Sequence, residues 1–503
     1  MRKQERKMAE KNRFSRLLKY LLSVSEVKNY TLAQELQYDV SYISKWTSGQ
    51  MIPSEKSEDK ILRGISKCIV DGCSSAALDK LMKEYQVDDS EDLKLAIMDN
   101  LEAEYNYVKE LQKSSGVDVA PQLFFFPEMK LSDYVARMHH PVLRRVNALD
   151  IIGVLDIFSI GREYRFQIVD TDRKHVPKGK WYQDVHYSMV VDVRPGKLNY
   201  TYDIYFLVDL LERNSCIDFQ LYGTTQAGGR AIFVVKNDYA ISGMLAGRDR
   251  CISVVTSENP DDCRVMYRNL QAMCSRESLL FRKTSMRSML IRNEYVHALF
   301  ALKQQWIIGH MTEHFLPEDL FEEIVQQLER EVQMSQELGE DKAFPDISDL
   351  RNVFRIMKNA VEEFQIRLLI YRTALYNLVV DNVLDFFNCK VHLTDQQVVR
   401  YLENFLELCR NHPGMEIKMI PGRLIPDVEY NTRPCVFLSD TISYLRLNTE
   451  FNNMYIINRR DMREAFGNMF AEFWEDGDGT LITDKEKILV NIEHVICGVT
   501  GDS

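Results

Sequence analysis

The chain has 503 residues, 45% of them hydrophobic and 27% charged, with only 22 Gly and 13 Pro. At roughly 100–200 residues per domain this predicts two to five domains, and the composition excludes a wholly disordered or collagen-like chain. The net charge of −11 is uneven: residues 1–67 hold fourteen Lys/Arg against eight Asp/Glu, and the remainder 49 against 66. That pattern predicts a basic head suited to a polyanion on an acidic body that is not.

Ten Cys are scattered without a Cys-x-x-Cys pair. This points to reduced thiols and a cytoplasmic location rather than a disulfide framework or a zinc ribbon. The most apolar long stretch, Leu368 to Phe387, contains Arg372, Asp381 and Asp385, so no membrane partner is expected. The basic start has no apolar stretch behind it of the kind a signal peptide needs.

In the head, Phe14, Leu17, Leu18, Leu21 and Leu22 form one stripe of an amphipathic helix. Thr31 and Gln34 fit a capping box that opens a short second helix, Leu32 to Gln37. Asp39 is placed to cap a third helix, Val40 to Ser48, which ends at Gly49. This segment resembles the helix-turn-helix of Cro/CI-type (XRE-like) repressors. Leu32, Ala33 and Leu36 match the apolar side of the first helix, Ile43 and Trp46 the buried positions of the recognition helix, and Gly49 with Pro53 its exit. Gln37 stands where the family usually has Gly. The resemblance covers the head alone.

It implies double-stranded DNA as partner. Val40, Ser41, Ser44, Lys45 and Ser48 would face the major groove, and Thr31 would lie near a phosphate. Lys11, Arg13, Arg16 and Lys19 are candidates for further backbone contacts. Proteins of this kind commonly dimerise to read two half-sites, so a homodimer is expected.

A break at Val70 to Ser75 leads into a connector. A helix from Ser90 to about Lys113 carries Leu93, Ile97, Leu101, Tyr105 and Val108 at helical spacing. It is read either as a dimerisation or signalling helix or as one packed on the body. In the body, Leu123 to Phe126 is an aromatic run, and Asp156 to Asp170 and Tyr187 to Val193 read as β-rich.

Two later stretches share one predicted order. The first is helix Ile204 to Arg213, strands Ile217 to Tyr222 and Ala231 to Val235, short helix Tyr239 to Leu245, strand Ile252 to Thr256, and a helix from Pro260. The second is helix Val398 to Arg410, strands Glu416 to Ile420 and Cys435 to Ser439, short helix Thr441 to Leu447, strand Met454 to Asn458, and a helix from Arg460. A helical insertion, about Met286 to Phe387 and capped by Asp346 at its last long helix, is predicted between them. Two half-domains of this kind resemble the phospholipase-D-like fold, which some transcription regulators use as a sensor. The His-x-Lys of that fold's hydrolases is missing from this chain, so the resemblance implies a non-catalytic body.

His310, Glu313 and His314 fit His-x-x-Glu-His, which on a helix lets two histidines share a zinc ion with the Glu as base. Pro317 follows closely, so two partly exposed histidines beside a turn are expected instead. Asp476 to Thr480 looks like the middle of a calcium loop, but the first and twelfth ligand positions fall on Trp474 and Lys485, which excludes it. No metal, cofactor or catalytic residue is expected.

The expected fold is multidomain, with an all-α helix-turn-helix head and a large α/β C-terminal region. The expected division is head 1–72, helical connector 73–118, β-rich segment 119–200 and α/β sensor or effector region 201–503. The last would hold repeat units at about 201–282 and 395–476 around the insertion 283–394. The expected function is a sequence-specific DNA-binding transcription regulator whose body responds to an unknown small molecule or protein. The alternatives are a metal-dependent hydrolase using His310, Glu313 and His314, and a non-catalytic protein-interaction adaptor.

Overall fold

The computed structural model describes residues 12–85, 87, 89–114, 123–144, 148–169, 181–194, 200–337, 347–424, 433–449, 453–475 and 481–500. Lys11, Asp346 and the calcium-loop-like segment Asp476 to Thr480 lie outside the described residues. The chain divides into two units, one of Met1–Asp192, Cys216–Phe219 and Thr224–Cys274, the other of Val193–Ser215, Gln220–Gly223 and Ser275–Ser503.

The first unit begins with α1 (Arg13–Ser25), α2 (Asn29–Leu36), α3 (Val40–Ser48), α4 (Glu58–Gly72), α5 (Ser75–Tyr85) and α6 (Ser90–Ser114). Their apolar stripes close on one core. Phe14 and Leu18 of α1, Leu32 of α2, Ile43 and Trp46 of α3 and Ile65 of α4 share it with Leu93, Ile97, Leu101, Tyr105 and Val108 of α6. The stripe of α6 is therefore spent inside the helical head, because that is where the largest apolar surface leaves water.

The first unit continues with β1 (Leu123–Lys130), α7 (Leu131–Met138), β2 (Leu149–Leu155), α8 (Arg162–Val169) and β3 (Tyr182–Val191). After α9 (Tyr200–Arg213), which belongs to the second unit, come β4 (Ile217–Gly223), β5 (Arg230–Val235), β6 (Tyr239–Leu245), β7 (Arg250–Ser257) and α10 (Pro260–Gln271). The sheet order is β4-β3-β2-β5-β6-β7-β1. Helix α10 covers one face, with Cys263 and Tyr267 buried beside Ile152, Val234 and Ala240.

The second unit holds β8 (Phe281–Thr284), α11 (Met286–Ile291), α12 (Glu294–Leu299), β9 (Lys303–Ile308), α13 (Glu318–Glu337), α14 (Ile347–Glu363) and β10 (Gln365–Tyr371). Next come α15 (Arg372–Asp381), the hairpin β11 (Val383–Phe386) and β12 (Cys389–His392), α16 (Asp395–Asn411) and β13 (Met415–Ile420). The chain ends with β14 (Cys435–Ser439), β15 (Tyr444–Arg446), β16 (Met454–Ile457), α17 (Arg460–Glu475) and α18 (Lys485–Thr500). Its large sheet runs β13-β10-β9-β14-β15-β16-β8.

The two large sheets carry the same order. In each, a central strand (β2, β9) pairs in parallel with one neighbour (β3, β10) and antiparallel with the other (β5, β14). An antiparallel run then ends on the earliest strand of the set, β1 or β8.

Three sequence expectations change. The two short helices of the repeat, Tyr239 to Leu245 and Thr441 to Leu447, are replaced by strands β6 and β15, each paired on both sides. A short apolar run has no decisive period, and cross-strand hydrogen bonding settles it. The predicted insertion is not wholly helical. It supplies β9 and β10, the central parallel strands, whose near-continuous burial hides the alternation expected of a half-exposed strand. The stretch Asp156 to Asp170, expected to be β-rich, holds a 3-10 turn at Ile157–Ser159 and then α8.

Candidate functional site

Two places bring together the residues singled out in the sequence: the outer face of α3 in the first unit, and a buried polar cluster beyond β9 in the second.

Helix α3 is fixed at both ends by local chemistry. Asp39 accepts the Ser41 N–H at 2.9 Å. Hydrogen bonds from the Ser41 side chain and backbone hold its carboxyl below the ordinary range. At the other end Gly49 has φ +80°, and the Gly49 and Gln50 N–H groups donate to the Trp46 and Lys45 carbonyls. Between these ends Ile43 and Trp46 are buried, while Val40, Ser41, Ser44 and Lys45 are exposed and Ser48 is half-buried. The Ser48 hydroxyl donates to the Lys45 carbonyl at 3.1 Å. Exposed Tyr42 and Tyr30, which the sequence did not single out, stand on α3 and α2, and the Lys45 ammonium lies 5.5 Å from the centre of the Tyr42 ring.

The connection from α2 is a left-handed turn in which Gln37 adopts φ 57° and Tyr38 donates to the Ala33 carbonyl. Helix α2 starts at Asn29, not after Thr31, and Lys28 caps it without a side-chain bond. Thr31 is exposed in the first turn and the predicted capping box does not form. Val27 before the cap and Leu32 in the first turn are buried in one core, the staple arrangement that sets a helix start through apolar contact.

Arg13 does not face outward. Its Nε lies 3.0 Å from Glu104 and its guanidinium 2.7 Å from Asp238, with the side chain 8% exposed. Burial leaves it for these two carboxylates rather than a phosphate. Arg16 and Lys19 remain exposed on α1.

The His310–His314 segment is not an α-helix. Its end enters a 3-10 turn, Glu313–Phe315, and both histidines are buried rather than partly exposed. Arg446 from β15 donates to Glu313 through both terminal nitrogens, at 2.8 and 2.6 Å, with neither side chain exposed. Tyr295 donates to Glu313 at 2.6 Å and the Phe387 N–H at 3.1 Å. Burial raises the Glu313 carboxyl, but the Arg446 charge outweighs it, and the group sits at about 2. His314 is bonded to Thr312 at 2.9 Å and Tyr295 at 3.2 Å, and burial pushes its imidazole down to about 4.

His310 points elsewhere. Its Nε2 is 2.9 Å from Asp385, and its Nδ1 is 3.5 Å from the Cys435 thiol. Burial works against its charge, yet Cys435 and Asp385 together lift it to about 10. Glu313 is bound to Arg446 and the two histidines turn to different partners, and among the described residues no group of three His, Cys, Asp or Glu side chains is arranged to hold a metal ion. Asp385, Cys435, Arg446 and Tyr295 carried no sequence signal, since each comes from a separate element.

No family model matches the chain, and no curated protein sequence matches it. Among the described residues no helix is long and apolar enough to cross a membrane.

Proposed function

We propose that the chain is a sequence-specific DNA-binding transcription regulator, with α2 and α3 acting as a helix-turn-helix and the second unit belonging to a body that responds to a ligand or partner. The observation that carries this reading is the division of α3 into a buried edge, Ile43 and Trp46, and an exposed edge of Ser41, Ser44 and Lys45 with the apolar Val40. A short helix held from beneath, with small polar groups and a cation outward, suits insertion into a major groove. Exposed Arg16 and Lys19 suit the flanking phosphates. The common strand order of the two sheets supports a body built from a duplicated α/β unit, as the phospholipase-D-like resemblance implies. Pairing on two half-sites would use a surface other than the α6 stripe, which the head core occupies.

Duplex selection from a random pool, followed by titration at several salt concentrations, tests the reading. Specific binding should weaken steeply with salt, and Lys45→Ala should reduce the slope by about one. Salt-independent binding, or an unchanged slope in that variant, would remove the helix from the interface. The hydrolase alternative is not favoured by the cluster's geometry, in which Glu313 is tied to Arg446 instead of a metal-bound water.

A further inference from the structure

We propose that Asn12 and Arg13 are positioning residues that tie the exit of α3 to the sheet of the first unit, so that the turn between β5 and β6 sets how tightly the head binds DNA. The inference rests on the DNA-binding reading and adds a route by which the body acts on it.

Two pairs of neighbouring residues meet at this point. In the first pair, at the start of α1, Asn12 Nδ2 donates to the Gly49 carbonyl at 3.2 Å, and Arg13 enters an ion cluster. In the second pair, on α6, the Tyr105 hydroxyl donates to the Pro53 carbonyl at 3.0 Å, and Glu104 enters the same cluster, 3.0 Å from Arg13. Each pair thus places one side chain on the segment that leaves α3 and the next in the cluster. The rings of Phe14 and Tyr105 pack edge to face beside them, with centres 6.0 Å apart.

The cluster's other carboxylate comes from the sheet. Asp238, in the turn from β5 to β6, lies 2.7 Å from the Arg13 guanidinium. That turn is fixed in its own right. The Asp238 N–H donates to the Val235 carbonyl at 3.1 Å, and Arg264 of α10 donates to Asn237 at 2.9 Å. The side chains of Arg13, Glu104 and Asp238 are 8%, 5% and 19% exposed, so salt screens these links weakly. A change in the turn therefore reaches the end of α3 through two adjoining residues. Val40, Ser41, Ser44 and Lys45 stay exposed while the links hold, so the links order the helix for a groove without covering it. A helix ordered beforehand loses less freedom on binding.

The test uses the full chain and two variants chosen to keep the head folded. Asp238→Asn cuts the link to the sheet and leaves the buried Arg13–Glu104 pair in place. Asn12→Asp keeps an acceptor for the Ser15 N–H, 2.8 Å away, that caps α1, but has no donor for Gly49. The Gly49, Gln50 and Met51 amides donate to carbonyls in the last turn of α3. Without DNA, Asp238→Asn should speed their hydrogen exchange by about fivefold, the upper end for a partly exposed ion pair. Asn12→Asp should speed it too, and the double variant should fall short of the product of the two effects, since both break one route.

With a selected duplex, Asp238→Asn should bind about fivefold more weakly at an unchanged salt slope. Charge alone predicts the opposite, because losing a carboxylate favours a polyanion. Unchanged exchange in Asp238→Asn would overturn the proposal whether or not DNA binds. Faster exchange with equal or tighter duplex binding would overturn the link to DNA affinity. If no duplex is selected, the DNA-binding reading fails, and the exchange result alone decides whether the tether exists.

Discussion

Replacing Glu313 by Gln removes the one carboxylate that accepts both terminal nitrogens of Arg446, with both side chains fully buried. The guanidinium then stays in the core with Asp385 at 3.5 Å as its remaining carboxylate, beside aromatic rings 5.5 Å (Phe437), 5.8 Å (Tyr444) and 5.9 Å (Tyr295) away. Breaking a buried pair in this way costs about 3–5 kcal/mol. The carboxyl itself gives a similar figure: its fall from 4.5 to about 2 corresponds to about 3 kcal/mol of stability at neutral pH. Because the folded value lies below the unfolded one, that contribution is complete above about pH 4.5 and lost as pH falls towards 2. A chain of two units need not melt in one step, so the readout is hydrogen exchange of the β9 and β14 amides. Glu313→Gln should lower their opening free energy by about 3 kcal/mol and flatten its acid dependence over that window. Adding Arg446→Met should restore part of the loss, since an apolar side chain there has no charge to neutralise. Unchanged exchange in the single variant, or no recovery in the double, would refute the argument.

The stability of the second unit should also fall on the alkaline side. His310 is raised from 6.5 to about 10, so its contribution is full below pH 6.5 and lost as pH rises through 10; His310→Gln should flatten that arm in melts recorded between pH 7 and 10.5. His314, lowered to about 4, acts in the opposite direction, its contribution being lost as pH falls from 6.5 through 4, and nuclear magnetic resonance of its ring should show a neutral imidazole at pH 6. Gly309→Ala meets the Arg433 carbonyl at 1.9 Å, so its cost should reach the top of the range of about 1–3 kcal/mol for overpacking, read from β9 exchange. Trp46→Ala empties a fully packed site in the head core and should cost about 3–5 kcal/mol. Its signature in exchange experiments is loss of protection in α3 ahead of the sheets.

The head shows how far local sequence reaches. Helix α3 runs from Val40 to Ser48, as its sequence predicts, because an Asp before it and a Gly after it act on neighbouring backbone groups. The sequence predicts α2 from Leu32, whereas the helix starts at Asn29. The choice there was made by Val27 and Leu32 entering a shared core, not by the hydroxyl of Thr31. Arg13 looked like any other surface cation in a basic segment. Its partners lie 91 and 225 residues away in the chain, and only folding reveals that they remove it from the surface.

The body shows the same division. Repeated order was legible in two stretches because the spacing of apolar runs survives in the letters. The identity of Tyr239 to Leu245 and Thr441 to Leu447 as strands depended on neighbours in the sheet. The spacing at His310 reads as two partly exposed histidines beside a turn, and the structure buries both. What turned a zinc-like spacing into a split cluster was an arginine 133 residues beyond Glu313 and a thiol 125 residues beyond His310. Turn chemistry, capping and periodicity act over a few residues, so the sequence by itself determined helices such as α1 and α3 and the outward face of α3. Charge pairing and burial act through space, so only the tertiary structure decided which ionisable groups meet and which stay in water.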